Sequence, residues 1–258
     1  MTAIAHSTLM TARHTRVLLR QPWFVAITLV QPIIWLLLFG ALFRSVTDIP
    51  GFDAGGSYLD YLVPGVVVMT ALMSSGWSGM GIIEDIDRGL LDRFLAAPLH
   101  RSSMIIGRIA YEALSLVIQA SIIGGLAWVM GATFAGGVGG YAVLVSCGVL
   151  IAATFGSLSN AFALLLRQRE SVIGLNTMLT LPLTFLSAGF MPLELAPDWI
   201  RGAARVNPVN WAIEAGREAL LASPDWALIL PRVGALTAVA VVSVVVSTQA
   251  FRAYQRSS

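Results

Sequence analysis

Long stretches without a charged side chain dominate this sequence. Five of them cover residues 21–43, 61–83, 113–166, 171–193 and 233–251. An α-helix needs about 20 mostly apolar residues to cross the roughly 30 Å hydrocarbon core of a bilayer. Only 12% of the residues are charged and the mean hydropathy is +0.79, whereas a soluble domain carries about 25% charged residues. The sequence therefore predicts an integral membrane protein.

The third stretch is too long for one helix, and a glycine-rich segment divides it. Residues 131–140, GATFAGGVGG, are typical of a tight loop. We therefore predict a single all-α membrane domain, 1–258, with six transmembrane helices. The expected spans are about 23–43, 61–83, 109–130, 141–165, 171–190 and 228–251.

The arginines predict how these helices are oriented, because short cytoplasmic loops are enriched in Arg and Lys. The chain has no lysine; eleven of its arginines lie on the side of the termini and five lie on the other side. Both termini are therefore expected in the cytoplasm, as in a multi-pass protein of the cell (inner, cytoplasmic) membrane. The basic segment at 7–22 predicts an N-terminal interfacial helix, or simply a positive flank of the first span.

A charged segment between spans two and three, EDIDRGLLDRFLAAPLHRSS at 84–103, contrasts with the apolar chain around it. Apolar side chains recur at helical spacing from Ile83 to Leu95 with charges on the other face, so we expect an amphipathic helix that Pro98 ends. A helix with both signs of charge suits a protein partner, whereas an anionic lipid surface favours a basic face. A solvated loop helix is the alternative.

This segment resembles the cytoplasmic connection after the second span of ABC-2-type transporter permeases. The matching points are Gly89-Leu90, Leu95-Ala96-Ala97-Pro98-Leu99 and Gly107-Arg108. A second segment resembles the external hairpin of the family through Gly189-Phe190-Met191-Pro192, Pro197-Asp198-Trp199, Asn207-Pro208, and Glu214 with Arg217. The entry into span one is also similar, so the resemblance covers nearly the whole chain. It is strongest to the daunorubicin-resistance-like drug-export branch.

The resemblance implies that the helix after span two is a coupling helix that docks on a separate ATPase. Its contact residues would be Glu84, Asp85, Asp87, Arg88, Gly89, Leu90, Leu91, Asp92, Arg93 and Phe94. It also implies a second permease copy, as a homodimer or a related permease, and two ATPase subunits that hold ATP and Mg. A chain without lysine cannot form the lysine-containing phosphate loop of ATPases. We therefore expect no catalytic residue, metal site or bound cofactor in this chain.

Polar and adaptable side chains align at helical spacing in spans one, two and five. Such stripes predict either a substrate path or packing within and between permease copies, and the sequence leaves both open. The residues are Thr28, Gln31, Trp35, Met69, Met73, Trp77, Asn176, Thr180, Thr184 and Ser187. Glu112, one turn after Arg108 in span three, is expected to pair with that arginine, with a proton relay as the alternative.

Four prolines divide the segment between spans five and six, and we expect two short helices there, around 197–205 and 209–222. The resemblance makes this external helical hairpin a gate; a lid that shields two permease copies from solvent is the alternative. The candidate gate residues are Phe190, Met191, Pro192, Trp199, Asn207, Pro208, Glu214 and Arg217.

The predicted function is that of a permease subunit of an ATP-binding cassette exporter. Alternating access, driven by a separate ATPase, would move an amphipathic or hydrophobic substrate (a drug, lipid or natural product) out of the cytoplasm or inner leaflet. An ion-coupled secondary transporter and an ABC-2 exporter of a polysaccharide or glycolipid are the alternatives.

Overall fold

The structure is a computed structural model that describes residues 22–43, 57–89 and 101–257, with side chains over 26–43, 57–89 and 107–254. The chain is helical within these ranges, without a strand. The all-α prediction is confirmed for the described residues. Residues 7–21 of the predicted interfacial helix and 90–95 of the predicted coupling helix lie outside them.

The described helices follow one another along the chain. They are α1 (Pro22–Leu42), α2 (Tyr58–Gly76), α3 (Ser78–Asp87), α4 (Arg101–Val129), α5 (Gly137–Leu166), α6 (Arg169–Phe185), α7 (Asp198–Arg205), α8 (Pro208–Ala219) and α9 (Trp226–Ser257). A 3₁₀ turn at Leu193–Leu195 precedes α7. Four units of the described chain are long and apolar enough to cross a membrane: α2 with α3, α4, α5 and α9. The chain is therefore a multi-pass membrane protein.

Helix α5 lies at the centre of the bundle. It packs against α2, α3, α4, α6, α8 and α9. Two of its glycines allow this close approach: a Cβ at Gly140 would lie 2.0 Å from the carbonyl oxygen of Ala219, and one at Gly156 would meet the carboxylate of Glu112. Six of the described helices are therefore positioned by direct packing against α5.

The second span is not the single helix that its apolar sequence predicts. It breaks at Trp77. There the backbone N–H of Met80 donates to the carbonyl oxygen of Trp77, three residues earlier, at 3.0 Å, whereas an α-helix joins residues four apart. Helix α3 then continues to Asp87, and Gly89, at a φ of +62°, follows its end. The prediction of one unbroken amphipathic helix over 83–95 is therefore wrong.

The two short helices predicted between spans five and six are present as α7 and α8. Asn207 begins α8 because its side chain accepts a hydrogen bond from the backbone N–H of Val209, at 2.9 Å, and Pro208 occupies the first helical position. This hairpin lies beside the end of α6 and the start of α9, and it brings the candidate gate residues to that end of the bundle.

Candidate functional site

The break between α2 and α3 leaves the carbonyl oxygen of Gly76 available to other helices. The Ser159 hydroxyl on α5 donates to it at 2.6 Å, and the Asn176 side-chain amide on α6 also donates to it. The same hydroxyl accepts from the backbone N–H of Gly79 at 3.1 Å. Backbone polar groups exposed by a break in an apolar bundle need such partners, so α5 and α6 stabilise the break.

Helix α3 is also in backbone contact with α5. A Cβ at Gly79 would lie 2.3 Å from the carbonyl oxygen of Ser159. The Ser78 hydroxyl donates to the side-chain oxygen of Asn160 at 3.0 Å. Only a residue without a side chain fits at position 79. We call Ser78, Gly79, Ser159, Asn160 and Asn176 the inner cluster.

Ion pairs attach the C-terminal end of α3 to α4 and α6. Arg108 on α4 donates to the carbonyl oxygen of Ser78 and to the Asp85 carboxylate, both at 2.9 Å. Arg169 at the start of α6 pairs with Asp87 at 2.8 Å. The side chains of the first pair are 14% and 21% exposed, against 49% and 55% in the second. The described half of the predicted coupling segment is therefore attached to two neighbouring helices.

Glu112 does not form the ion pair with Arg108 that its spacing predicts. Arg108 is directed to Asp85 instead. Both carboxylate oxygens of Glu112 are buried, and they lie against Gly156 of α5. The tertiary contact between α3 and α4 therefore prevails over the local spacing.

A second polar group of residues surrounds the end of α6. The last carbonyl groups of a helix lack partners within the helix. The Asn207 amide supplies one by donating to the carbonyl oxygens of Leu183 at 2.8 Å and Leu186 at 2.7 Å. The start of α8 therefore caps the end of α6.

The turn that follows α6 is bound from two directions. From α2, the Tyr61 hydroxyl donates to the carbonyl oxygen of Ala188 and the Tyr58 hydroxyl to that of Phe190, both at 3.0 Å. From α8, the side-chain oxygen of Asn210 accepts from the backbone N–H of Ala188 at 2.8 Å. The turn is therefore fixed by side chains of two helices.

Arg217 of α8 completes this arrangement. Its guanidinium donates to the carbonyl oxygens of Ala188 at 2.7 Å and Tyr61 at 3.2 Å, and lies 3.5 Å from the centre of the Tyr61 ring. Burial lowers the pKa of Arg217, while Tyr61 and Glu214 oppose that change. We call Tyr58, Tyr61, Asn207, Asn210 and Arg217 the outer cluster.

Aromatic and backbone packing closes the same end of the bundle. The Phe190 ring lies 5.4 Å from Trp35 and 5.0 Å from Phe39, both on α1. A Cβ at Gly65 would lie 2.3 Å from the carbonyl oxygen of Gly189. Four helices, α1, α2, α6 and α8, thus meet around residues 188–190.

The remaining predicted residues divide into contacts and exposed positions. Glu214 pairs with Arg232 of α9 and not with Arg217, and Thr28 accepts from Gln119 at 3.3 Å. Ser187 donates to the carbonyl oxygen of Thr184 at 2.7 Å. The other predicted residues differ in how far they are exposed. The buried ones are Met69, Thr184 and Pro192; the half-buried ones are Met73, Thr180 and Pro208; the exposed ones are Gln31, Trp77, Met191 and Trp199. Leu90, Leu91, Asp92, Arg93 and Phe94 lie outside the described residues.

The sequence profile of one protein family, described as ABC-2 type transporter, matches residues 6–221. The chain belongs to this family. It is 31% identical over 202 residues to a putative transport permease, ycf38, of Cyanophora paradoxa, covering 76% of this chain and 67% of that relative.

Drug-resistance permeases are among its other relatives. The chain is 28% identical over 192 residues to the daunorubicin resistance ABC transporter permease protein DrrB1 of Streptomyces coeruleorubidus, covering 73% of this chain and 65% of the relative. It is 25% identical over 230 residues to the probable doxorubicin resistance ABC transporter permease protein DrrC of Mycobacterium tuberculosis (strain ATCC 25618 / H37Rv), covering 89% and 81%.

These matches confirm the resemblance to ABC-2 permeases of the drug-export-like branch. This ABC-2 family member is a transport permease, a membrane subunit that is not itself an enzyme. Its family implies an ABC ATPase as its partner in a transporter.

Proposed function

We propose that this chain is a six-span permease that exports an amphipathic or hydrophobic substrate, driven by a separate ATPase. The family match over residues 6–221 is the observation that carries this proposal. Helices α1 and α6 are the two further spans, of 21 and 17 residues. At 1.5 Å per residue α6 is about 25 Å long, short enough to require a locally thinner bilayer or a neighbouring helix. The arginine distribution supports cytoplasmic termini in the cell membrane.

The end of α3 and the segment after it, residues 84–94, are the proposed contact with the ATPase. Because α3 is pinned to α5 at Gly79 and to α4 through Arg108, a push on its last turn moves these helices as well. Asp87 and Arg88 are exposed beside that turn, where a partner can reach them. The contact therefore links the nucleotide cycle to the centre of the bundle.

The outer cluster is the proposed external gate in its closed state. Its hydrogen bonds join α8 to the turn after α6, so moving α8 away from α6 breaks them together. Phe190 blocks the route between α1 and α6 through its contacts with Trp35 and Phe39. Opening this cluster would release substrate on the outer side.

A second permease copy covers the exposed apolar faces of α1 and α6 in this proposal. Ile27 and Leu38 on α1 are 69% and 55% exposed, and Met178 and Phe185 on α6 are 72% and 70% exposed. Either a second copy of this chain or a related permease fits these faces, and two ATPase subunits complete the assembly. A substrate path along this interface would be apolar, which suits the drug class named in two relatives.

A pull-down of the tagged chain from its native membrane in mild detergent tests the proposal. We expect a phosphate-loop ATPase to copurify in near-equal amount, with ATP hydrolysis that apolar substrates stimulate. Recovery of a dimer without any ATPase would contradict the proposal and favour an ion-coupled transporter. Exchanging the charges of Asp92 and Arg93 should lower ATPase recovery, whereas Asp198→Asn, on the opposite side of the membrane, should not.

A further inference from the structure

A cavity of about 490 Å³ lies between the external helices α7 and α8 and the start of α9. Its wall contains both signs of charge: Arg201, Arg205, Arg232, Glu194 and Glu214. Of this set, only Glu214 is among the candidate gate residues that the sequence predicts. A wall with both signs is complementary to a ligand that also carries both.

The described residues neutralise only part of this charge. Glu214 accepts from Asn210 at 3.0 Å through one carboxylate oxygen and pairs with Arg232 through the other. Arg232 retains further donors, because a guanidinium has five N–H groups. The side chains of Glu194 and Arg205 have no ion-pair partner among the described residues. These two groups and Arg232 are therefore available to a ligand.

Two of the arginines lie on the same helix, α7. Arg201 and Arg205 are four residues apart on α7, so their side chains share one face of the helix. Arg201 pairs with Asp198, whose side chain is 93% exposed, and a surface pair of this kind contributes little. The Trp211 indole donates to the carbonyl oxygen of Arg205 at 2.7 Å, which fixes the end of α7 to α8. One guanidinium group can donate two parallel hydrogen bonds to two oxygens of a phosphate.

The cavity adjoins the exposed apolar surface of α9. Pro231 and Ala235 of α9 lie on its wall. Only 22% of the most apolar window of α9 is buried inside the chain, the smallest share among the four candidate spans. Leu230, Val241 and Val245 are exposed along this helix. A headgroup in the cavity would therefore have its acyl chains beside an apolar helix surface.

We propose that this cavity binds the headgroup of a zwitterionic phospholipid that carries a primary amine, a phosphatidylethanolamine. The phosphate contacts Arg201, Arg205 and Arg232, and the ammonium group donates to Glu194. In the orientation of the proposed function this lipid belongs to the outer leaflet. The chemistry of the site depends neither on the ATPase nor on the exported substrate.

Lipid competition tests this assignment. The purified chain is equilibrated with equal amounts of phosphatidylethanolamine, phosphatidylcholine and phosphatidylglycerol that have identical acyl chains, and retained lipids are counted by native mass spectrometry. The quaternary amine of phosphatidylcholine has no N–H to donate, and phosphatidylglycerol has no amine. We expect one phosphatidylethanolamine per chain, retained at least fivefold over each of the others. Equal retention of the three lipids would overturn the proposal.

Single substitutions test the contacts of the ammonium group and of the phosphate separately. Glu194→Gln should abolish the preference for phosphatidylethanolamine while lipid is still retained, and Arg205→Gln should lower retention of all three lipids. Arg252→Gln, an exposed arginine at the other end of α9, is the matched control and should change neither. An unchanged preference in Glu194→Gln would contradict the assignment of the ammonium group.

A soluble headgroup distinguishes a lipid from a free ligand. Phosphatidylethanolamine that remains bound in tenfold excess glycerophosphoethanolamine supports a membrane lipid. Complete displacement would assign the cavity to a soluble phosphoethanolamine compound and overturn the lipid assignment. Since these measurements need neither ATP nor an ATPase, their failure leaves the proposed export function untouched.

Discussion

The inner and outer clusters stabilise the same bundle in different ways. The outer cluster attaches one turn, 186–190, to α2 and α8, and its donors from α8 can leave together if that helix moves. The inner cluster fills a break within one span, where the Gly76 carbonyl depends on Ser159 and Asn176. Removing these donors leaves a buried carbonyl unpaired, which costs more than the net contribution of a hydrogen bond. If the chain works as proposed, we therefore expect the outer cluster to open during transport while the inner one stays closed.

The largest effects are expected where the two clusters depend on backbone contact. Gly65→Ala and Gly79→Ala each place a Cβ 2.3 Å from a carbonyl oxygen of another segment. Overpacking costs about 1–3 kcal/mol, and more when backbone must move, so both variants should lower the melting temperature of the purified protein sharply. Gly125→Ala and Gly174→Ala, with nothing within 4 Å, are the controls. Equal melting temperatures in all four variants would disprove these contacts.

Removing the central cation of the outer cluster should have the next largest effect. Arg217→Met deletes two hydrogen bonds from a charged donor, each worth about 1.5–3 kcal/mol, and frees the turn at Ala188. We expect poor substrate efflux from cells, together with normal recovery of the ATPase. Arg252→Met, an exposed arginine, should behave as wild type. Normal efflux by Arg217→Met would exclude it from the gate.

A double-mutant cycle sharpens the account of the inner cluster. Ser159→Ala and Asn176→Leu each remove one donor to the same carbonyl oxygen. Side chains in one network couple by about 0.5–3 kcal/mol, so we expect the double variant to differ from the sum of the two single variants in its free energy of unfolding. Additive effects would show that the two donors act independently.

The smallest effects concern the two ion pairs at the end of α3. Asp85→Asn breaks the sheltered pair with Arg108 and should destabilise the protein by more than Asp87→Asn, whose pair with Arg169 is half exposed. Exposed pairs contribute about 0.2–1 kcal/mol and are screened by salt. Melting temperatures at low and high salt measure both effects. A larger decrease in melting temperature for Asp87→Asn than for Asp85→Asn would contradict the proposed order.

The sequence predicts those features that depend on neighbouring residues. Uncharged intervals predicted the apolar helices, and the prolines predicted α7 and α8. The sequence does not predict the break at Trp77, because the residues that stabilise it, Ser159 and Asn176, are distant in the chain. The adjacent polar pair Ser159-Asn160, within the apolar fourth span, is the one local signal of it. Glu112 was assigned to Arg108 by local spacing, whereas Asp85 from α3 takes that arginine.

The site was predicted less completely than the fold. The family resemblance points to Arg217 and Asn207, and the structure shows which carbonyl groups they contact. Tyr58 and Tyr61 were missed because tyrosines at the start of a span are typical of any membrane interface. The ATPase contact at 90–94 stays a prediction.

Hydrogen exchange of the permease purified with its ATPase tests the central claim most directly. Amide exchange is compared without nucleotide and during ATP turnover with substrate. We predict faster exchange at 186–190, where the N–H of Ala188 is bound to Asn210, and unchanged protection at 76–80, where the N–H of Gly79 is bound to Ser159. Faster exchange at 76–80 with unchanged protection at 186–190 would contradict the account.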